Sequence, residues 1–105
     1  MAEQNDRKSG EGVLEKSKPT VKRPRLYKVV LHNDDYTTMD FVVEVLEHVF
    51  DKSPAEAYRI MMQVHLGGRG VCGAYTFEIA ETKAVAVHDL AQRNGYPLLA
   101  SVEEE

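Results

Sequence analysis

Apolar residues recur along this chain at two periods, and the change from one to the other marks out its elements. Residues 26–32, Leu-Tyr-Lys-Val-Val-Leu-His, are rich in aromatic and β-branched side chains, the composition of a strand. Tyr27, Val29 and Leu31 share one face of it at the period of two. From residue 41 the period becomes helical. Phe41, Val42, Val45, Leu46 and Val49 form one stripe over 41–50, while Asp40, Glu44, Glu47 and His48 lie away from it. Either Thr37 or Thr38 suits the N-cap of this helix, with Asp40 in its first turn. A second helix opens at Ser53-Pro54-Ala55-Glu56, a capping box with proline at the first helical position. It turns Ala57, Ile60, Met61 and Val64 inward and stops at Gly67-Gly68.

Residues 69–79 read as a second strand, with Val71, Tyr75, Phe77 and Ile79 on one side; Gly70 and Gly73 mark a bulge or a close backbone approach. A third helix over 81–94 turns Ala84, Val87, Leu90 and Ala91 inward and stops at Gly95. Pro97 then precedes a short last strand, 98–102, and Glu103-Glu104-Glu105 reads as a frayed end. The order β-α-α-β-α-β predicts an α+β sandwich, a three-stranded, mainly antiparallel sheet packed against three helices. Residues 1–24 carry only Val13, Leu14 and Val21 as large apolar side chains. Too little surface can be buried there to offset ordering, so a disordered, flexible extension is expected before a folded domain over 25–105. Pro19 and Pro24 stiffen its last part.

Composition narrows the possibilities. A hydrophobic fraction of 43%, with five Tyr, three Phe and no Trp, suits one small domain. No apolar run approaches the ~20 residues of a membrane span, and the polar first residues offer no secretory apolar region. The single cysteine, Cys72, excludes an internal disulfide and fits a reducing cytoplasm. Charge is uneven. Residues 1–25 hold seven Lys/Arg against four Asp/Glu, and residues 26–105 hold six against thirteen, so a body of −7 follows a segment of +3. Such a body argues against a nucleic-acid partner. It suits partners that bring positive charge, or simple solubility.

No enzyme constellation stands out. G-x-S-x-G is absent, and Gly67-Gly68-Arg69-Gly70 lacks the Gly-Lys-Ser/Thr ending of a phosphate loop. Cys72 lies mid-strand among apolar neighbours, a structural position rather than an activated one. His32, His48, His65, His88 and Cys72 are scattered without ligand spacing, so neither metal nor cofactor is expected.

The chemistry concentrates instead in Asn33-Asp34-Asp35-Tyr36-Thr37-Thr38-Met39, between first strand and first helix. Its side chains fold back readily on their own backbone, and one carboxylate suffices for a cap. Two carboxylates and an amide are a place for a cation. Helix two must pack near helix one, so His65 at its end can meet Asn33 and Asp35. An amide oxygen, a carboxylate and an imidazole nitrogen are three acceptors, the number an ammonium group requires. Met39, Met61 and Met62 fall close by in this arrangement. Methionine lines sites that accept several apolar shapes, although for Met62 a core-filling role is the simpler reading.

These residues carry a resemblance. Leu26-Tyr27-Lys28-Val29-Val30-Leu31, then Asn33 through Val42, Val64-His65, Val71-Cys72-Gly73, Ala80-Glu81-Thr82-Lys83 and Pro97-Leu98 closely resemble the ClpS family over 25–102. Its members are adaptors, not enzymes. They deliver N-degron substrates to a ClpA-type AAA+ unfoldase for ATP-dependent degradation by ClpP, modulating that protease's specificity. The resemblance implies that Asn33, Asp35 and His65 hold the substrate's α-amino group. Leu31, Thr37, Met39, Val42, Met61, Val64 and Leu98 would surround its first side chain, typically Leu, Phe, Tyr or Trp, with Met39 a gate against Val and Ile. Glu78, Thr82 and Lys83 would dock on the unfoldase's N-terminal domain, and residues 1–24 would serve hand-over. A monomer is implied, with no membrane partner. Two positions depart from the family pattern. Thr38 stands where many members have Pro, a change expected to loosen the loop, and His32 stands where an apolar residue is usual. If His32 faced the rim, its protonation would oppose a cationic ligand. The element order also resembles the C-terminal domain of the bacterial ribosomal stalk protein, a protein-interaction domain without N-degron binding. The 33–39 block is not expected there, which discriminates between the two.

Overall fold

The computed structural model describes residues 23–105; the flexible extension expected over 1–24 lies outside them but for Arg23 and Pro24. Six elements follow the expected order: β1 (Tyr27–His32), α1 (Met39–His48), α2 (Pro54–Gly67), β2 (Arg69–Tyr75), α3 (Phe77–Arg93) and β3 (Leu99–Glu104). β1 is the central strand, antiparallel to β2 on one side and β3 on the other. Against β2 the register runs from Tyr27↔Tyr75 to His32↔Arg69, and slips by one residue between Val29 and Val30 so that Cys72 has no partner. That thiol is buried, and burial pushes its pKa up to about 12, which leaves it inert.

Helices α2 and α3 pack on the sheet, and α1 packs on α2. Val29 and Leu31 from β1, Cys72 from β2 and Ala100 from β3 join Phe41, Val45, Leu46, Ile60, Val64 and Val87 in one core. The stripes read from sequence are the buried ones in α1 (Phe41, Val42, Val45, Leu46) and α2 (Ala57, Ile60, Met61, Val64). α2 lies close on β2 because position 70 has no side chain. A Cβ there would stand 2.8 Å from Val64 Cγ2 and 3.2 Å from the Ile60 carbonyl oxygen.

Three boundaries differ from the sequence reading. The second strand ends at Tyr75, and α3 begins at Phe77 rather than at 81, with Thr76 extended at its N-cap. Tyr75, Phe77 and Ile79 imitate a strand's alternation, but Phe77 and Ile79 are half-exposed and only Ala80 turns fully inward. Glu78 therefore sits in a helix. Leu98 precedes β3 instead of starting it. At the C-terminus 103–105 are not frayed: Glu104 pairs with Tyr27 across the ladder and the Glu105 N–H donates to the Leu26 carbonyl at 3.1 Å. Ion pairs Arg25–Glu104 and Arg69–Glu103 flank that pairing.

Candidate functional site

The site is assembled at the end of β1. There the Asn33 N–H donates to the Gly68 carbonyl at 2.9 Å, tying the outgoing loop to the turn after α2. Gly68 makes that turn with φ of 90°, left-handed backbone suited to glycine, and its N–H caps α2 on the Val64 carbonyl at 3.0 Å. Arg69 then pairs with His32. This reversal carries the last turn of α2, and His65 with it, to the side of Asn33, a meeting across 32 positions of sequence.

The two aspartates have separate tasks. The Asp34 carboxylate accepts from the N–H of Tyr36 (2.8 Å), the N–H of Thr37 (2.7 Å) and the hydroxyl of Thr37 (2.7 Å), bracing the loop from within. Asp35 is exposed, and among the described residues no hydrogen bond engages its carboxylate. Thr38 is the N-cap of α1, its Oγ1 accepting from the Phe41 N–H at 3.1 Å. Such a cap is worth about 0.5–2 kcal/mol relative to alanine.

Partial burial alone would raise the Asp34 carboxyl. The hydrogen bonds from Thr37 and Tyr36 outweigh it and hold the group below the usual carboxylate range. Its folded pKa is depressed, so its contribution to stability is fully present above the unfolded value, near pH 4, and is lost as pH falls through the folded value. Urea midpoints of wild type and Asp34→Asn are therefore expected to differ by a constant amount above about pH 4 and to converge below it. A gap that persists to pH 2 would overturn this assignment.

Between loop, α1 and α2 lies a cavity of about 510 Å³, within the range of small-ligand pockets. Its rim is polar: Asn33, Asp34, Asp35, Tyr36, Thr37, Thr38 and His65. Its floor is Val42, Met61 and Val64, each at most 5% exposed, and Met39 stands at the mouth, half-exposed. No lysine or arginine lines it, so the rim offers acceptors and negative charge over an apolar interior.

The matching family model, "ATP-dependent Clp protease adaptor protein ClpS", covers residues 22–101. The chain belongs to the ClpS family. It is 53% identical over 96 residues to the ClpS of Maricaulis maris (91% of this chain, 88% of that protein). It is 60% identical over 84 residues to that of Nitratidesulfovibrio vulgaris (80% and 81%). The solved structure of Agrobacterium tumefaciens ClpS2 bound to L-phenylalaninamide superposes with a TM-score of 0.76 at 46% identity, covering 79% of this chain and all of that one. ClpS proteins are adaptors of the ATP-dependent Clp protease.

Within this ClpS fold, Asn33, Asp35, His65, Thr37, Met39, Val42, Met61 and Val64 surround one cavity. Leu31 and Leu98 do not line it. They are 0% and 3% exposed and belong to the core that also holds Val42, Met61 and Val64. His32 does not line it either: its Nε2 is 2.6 Å from Ser101 Oγ, a partner on β3, so the rim position considered for it does not hold. Met62 lines a different groove, between α2 and β2. Glu78, Thr82 and Lys83 lie together on the first half of α3, where the Thr82 hydroxyl donates to the Glu78 carbonyl at 2.9 Å. Thr82 and Lys83 border a recess of about 430 Å³ with Val49 and Ile79. Lys83 Nζ donates to the Val49 carbonyl at 2.7 Å and lies 6.0 and 5.6 Å from the rings of Phe50 and Tyr75. Among the described residues, no cluster of three His, Cys, Asp or Glu side chains offers a metal site, and no helix is long and apolar enough to cross a membrane.

Sequence reasoning placed the ammonium acceptors at Asn33, Asp35 and His65 and expected the loop's side chains to fold back on their backbone, but did not say that Asp34 is the one that braces it. The signal was there: aspartate followed by threonine three residues later, before a helix, is a turn that closes on itself.

Proposed function

We propose that the cavity binds the first residue of a protein substrate, the adaptor's N-degron, with the α-amino group on the rim and the first side chain inside. The observation that carries this reading is the pairing of acceptors with an apolar floor. Asn33 and Asp35 from the loop and His65 from α2 ring the mouth of a pocket floored by Val42, Met61 and Val64. The ligand of Agrobacterium tumefaciens ClpS2, L-phenylalaninamide, joins a free α-amine to an aromatic side chain, which supports the same chemistry here. An α-amine of pKa near 7.7–8.0 is mostly cationic at neutral pH. Each charge-assisted bond to it contributes roughly 1.5–3 kcal/mol, and burial of a Leu- or Phe-sized side chain a similar amount. Together they offset the association cost and leave micromolar or tighter binding. In this reading Met39 at the mouth disfavours side chains branched at Cβ. The substrate then passes to the protease's unfoldase, which docks through Glu78, Thr82 and the Lys83 side of α3.

Fluorescence anisotropy with peptides differing only at residue one tests the pocket. Leu, Phe, Tyr and Trp are expected to bind at least roughly tenfold more tightly than Val and Ile, the discrimination worth about 1.4 kcal/mol that a crowded mouth supplies. Equal affinity for Leu and Val would remove Met39 from its role; no binding of any peptide would end the reading.

A further inference from the structure

The methionines of this chain are Met1, Met39, Met61 and Met62, and the fold gives the last three different surroundings. Met61 is 4% exposed and belongs to the core and to the pocket floor. Met62 is half-buried and lines the groove between α2 and β2, which shares no lining residue with the pocket. Met39 is 47% exposed, opens α1 and stands at the pocket mouth. A thioether side chain is therefore reachable from solvent at the entrance that a ligand's first side chain must pass.

The chemistry of that entrance decides what oxidation of Met39 does. The thioether is apolar and adaptable, suited to the side chains the floor accepts. Its sulfoxide is polar and carries an acceptor oxygen. The rim is already made of acceptors: Asn33, Asp34, Asp35 and His65 line it, and no lysine or arginine does. Covered by a ligand, a sulfoxide oxygen faces those acceptors, with the Tyr36 and Thr37 N–H groups already given to Asp34. The ligand's ammonium group does not rescue it, because its three N–H donors are matched by Asn33, Asp35 and His65. Hydrogen peroxide is small and uncharged, so the acidic rim does not hold it off.

We propose that Met39 is a site of reversible oxidation by peroxide that shuts the substrate pocket. The proposal rests on the N-degron reading of that pocket. In the step, the peroxide O–O bond breaks, one oxygen forms the S=O bond at Met39 Sδ, and the other leaves as water. The sulfur is oxidised, the peroxide is reduced, and no group is lost from the protein. Methionine sulfoxide reductases, one for each sulfur epimer, return the thioether. Seating a first residue against the oxidised gate strips water from the sulfoxide oxygen without replacing its hydrogen bonds. The adaptor in that state leaves its substrates unbound until Met39 is reduced.

The test treats the full chain with dilute hydrogen peroxide, follows each methionine by peptide mass mapping, and reads binding of a Leu-initiated peptide by anisotropy. Met39 is expected to oxidise before Met62, and Met61 last. The Leu-initiated peptide, at a concentration well above its Kd, is expected to slow oxidation of Met39 at least roughly tenfold and leave Met62 unaffected. Its N-acetylated form is expected to protect neither. The oxidised protein is expected to bind the Leu-initiated peptide roughly tenfold more weakly or worse, and the reductases to restore binding. Met39→Leu is expected to make affinity, whatever its starting value, indifferent to peroxide, and Met62→Leu to leave the sensitivity in place. Met39→Gln, polar and of similar length, is expected to weaken binding with no oxidant present. Affinity that survives complete oxidation of Met39, a peroxide-induced loss that persists in Met39→Leu, or Met39 reacting no faster than Met61 overturns the proposal. Untreated protein that binds no Leu-initiated peptide brings down the pocket reading as well, an outcome distinct from a working pocket indifferent to peroxide.

Discussion

Acetylation of the α-amino group is expected to weaken a Leu- or Phe-initiated peptide by roughly a hundredfold or more, with the rest of the peptide unchanged. The change removes the positive charge and two of the three N–H donors, while the apolar side chain still enters the floor of Val42, Met61 and Val64. What is left is a rim of acceptors covered by ligand and without donors. Leaving desolvated acceptors unpaired costs more than the bonds themselves contribute, and this makes the discrimination steep. Asp35→Asn separates charge from size. Asp35 is exposed and otherwise unengaged among the described residues, so its substitution is expected to lower affinity for the free amine by roughly tenfold without altering stability. Asp34→Asn acts differently. It keeps one oxygen for the Tyr36 and Thr37 N–H groups but removes the charge that strengthens those bonds and the oxygen that accepts from the Thr37 hydroxyl, so its loss of affinity comes with a loss of stability. Titration by anisotropy alongside urea unfolding distinguishes the two. An acetylated peptide that binds as well as the free one would reduce the rim to a folding device, a braced loop and a helix cap.

Met61→Ala is expected to cost about 2–5 kcal/mol of stability, the range for removing a buried long apolar side chain. Met61 is 4% exposed and belongs at once to the core and to the pocket floor. For a folded region of this size that loss lowers Tm by about 10 °C or more. The same truncation deepens the pocket. Relative affinity is expected to shift from Leu- toward Trp-initiated peptides, and a saturating Trp-initiated peptide should recover part of the lost Tm by occupying the enlarged space. An unchanged Tm would place the side chain outside the core; an unchanged selectivity would take it out of the pocket wall. The two readouts test one residue in its two capacities.

Much of this architecture was legible because local rules and tertiary packing agree. In α2 the Ser53-Pro54 start, the stripe of Ala57, Ile60, Met61 and Val64 and the left-handed Gly68 all point to one helix, and that helix is present. The first strand and α1 were equally consistent. Where two rules competed, the sequence reading followed the wrong one. Tyr75, Phe77 and Ile79 alternate like a strand, yet Thr76 starts a helix there and leaves Phe77 and Ile79 half-exposed. The glutamates at the C-terminus looked solvated. They are held because β1 is central and its first residue needs a partner on the β3 side.

By itself the sequence determined the family, the order of elements and the candidate residues of the proposed site: acceptors at 33, 35 and 65, and methionines at 39 and 61. These are properties of residue identity and spacing, which persist whatever the chain's path. Only the tertiary structure decided which of those residues meet. The turn at Gly68 and the bond from Asn33 to it bring His65 to the loop, a contact across 32 positions that no local period encodes. Tertiary structure also divided two adjacent aspartates into a brace and an exposed carboxylate. It turned His32 toward Ser101, and it sank Leu31 and Leu98 into the core. The physical reason is the same in each case. Sequence fixes what a side chain can bond to, and the packing of helices on a sheet fixes which partner it finds.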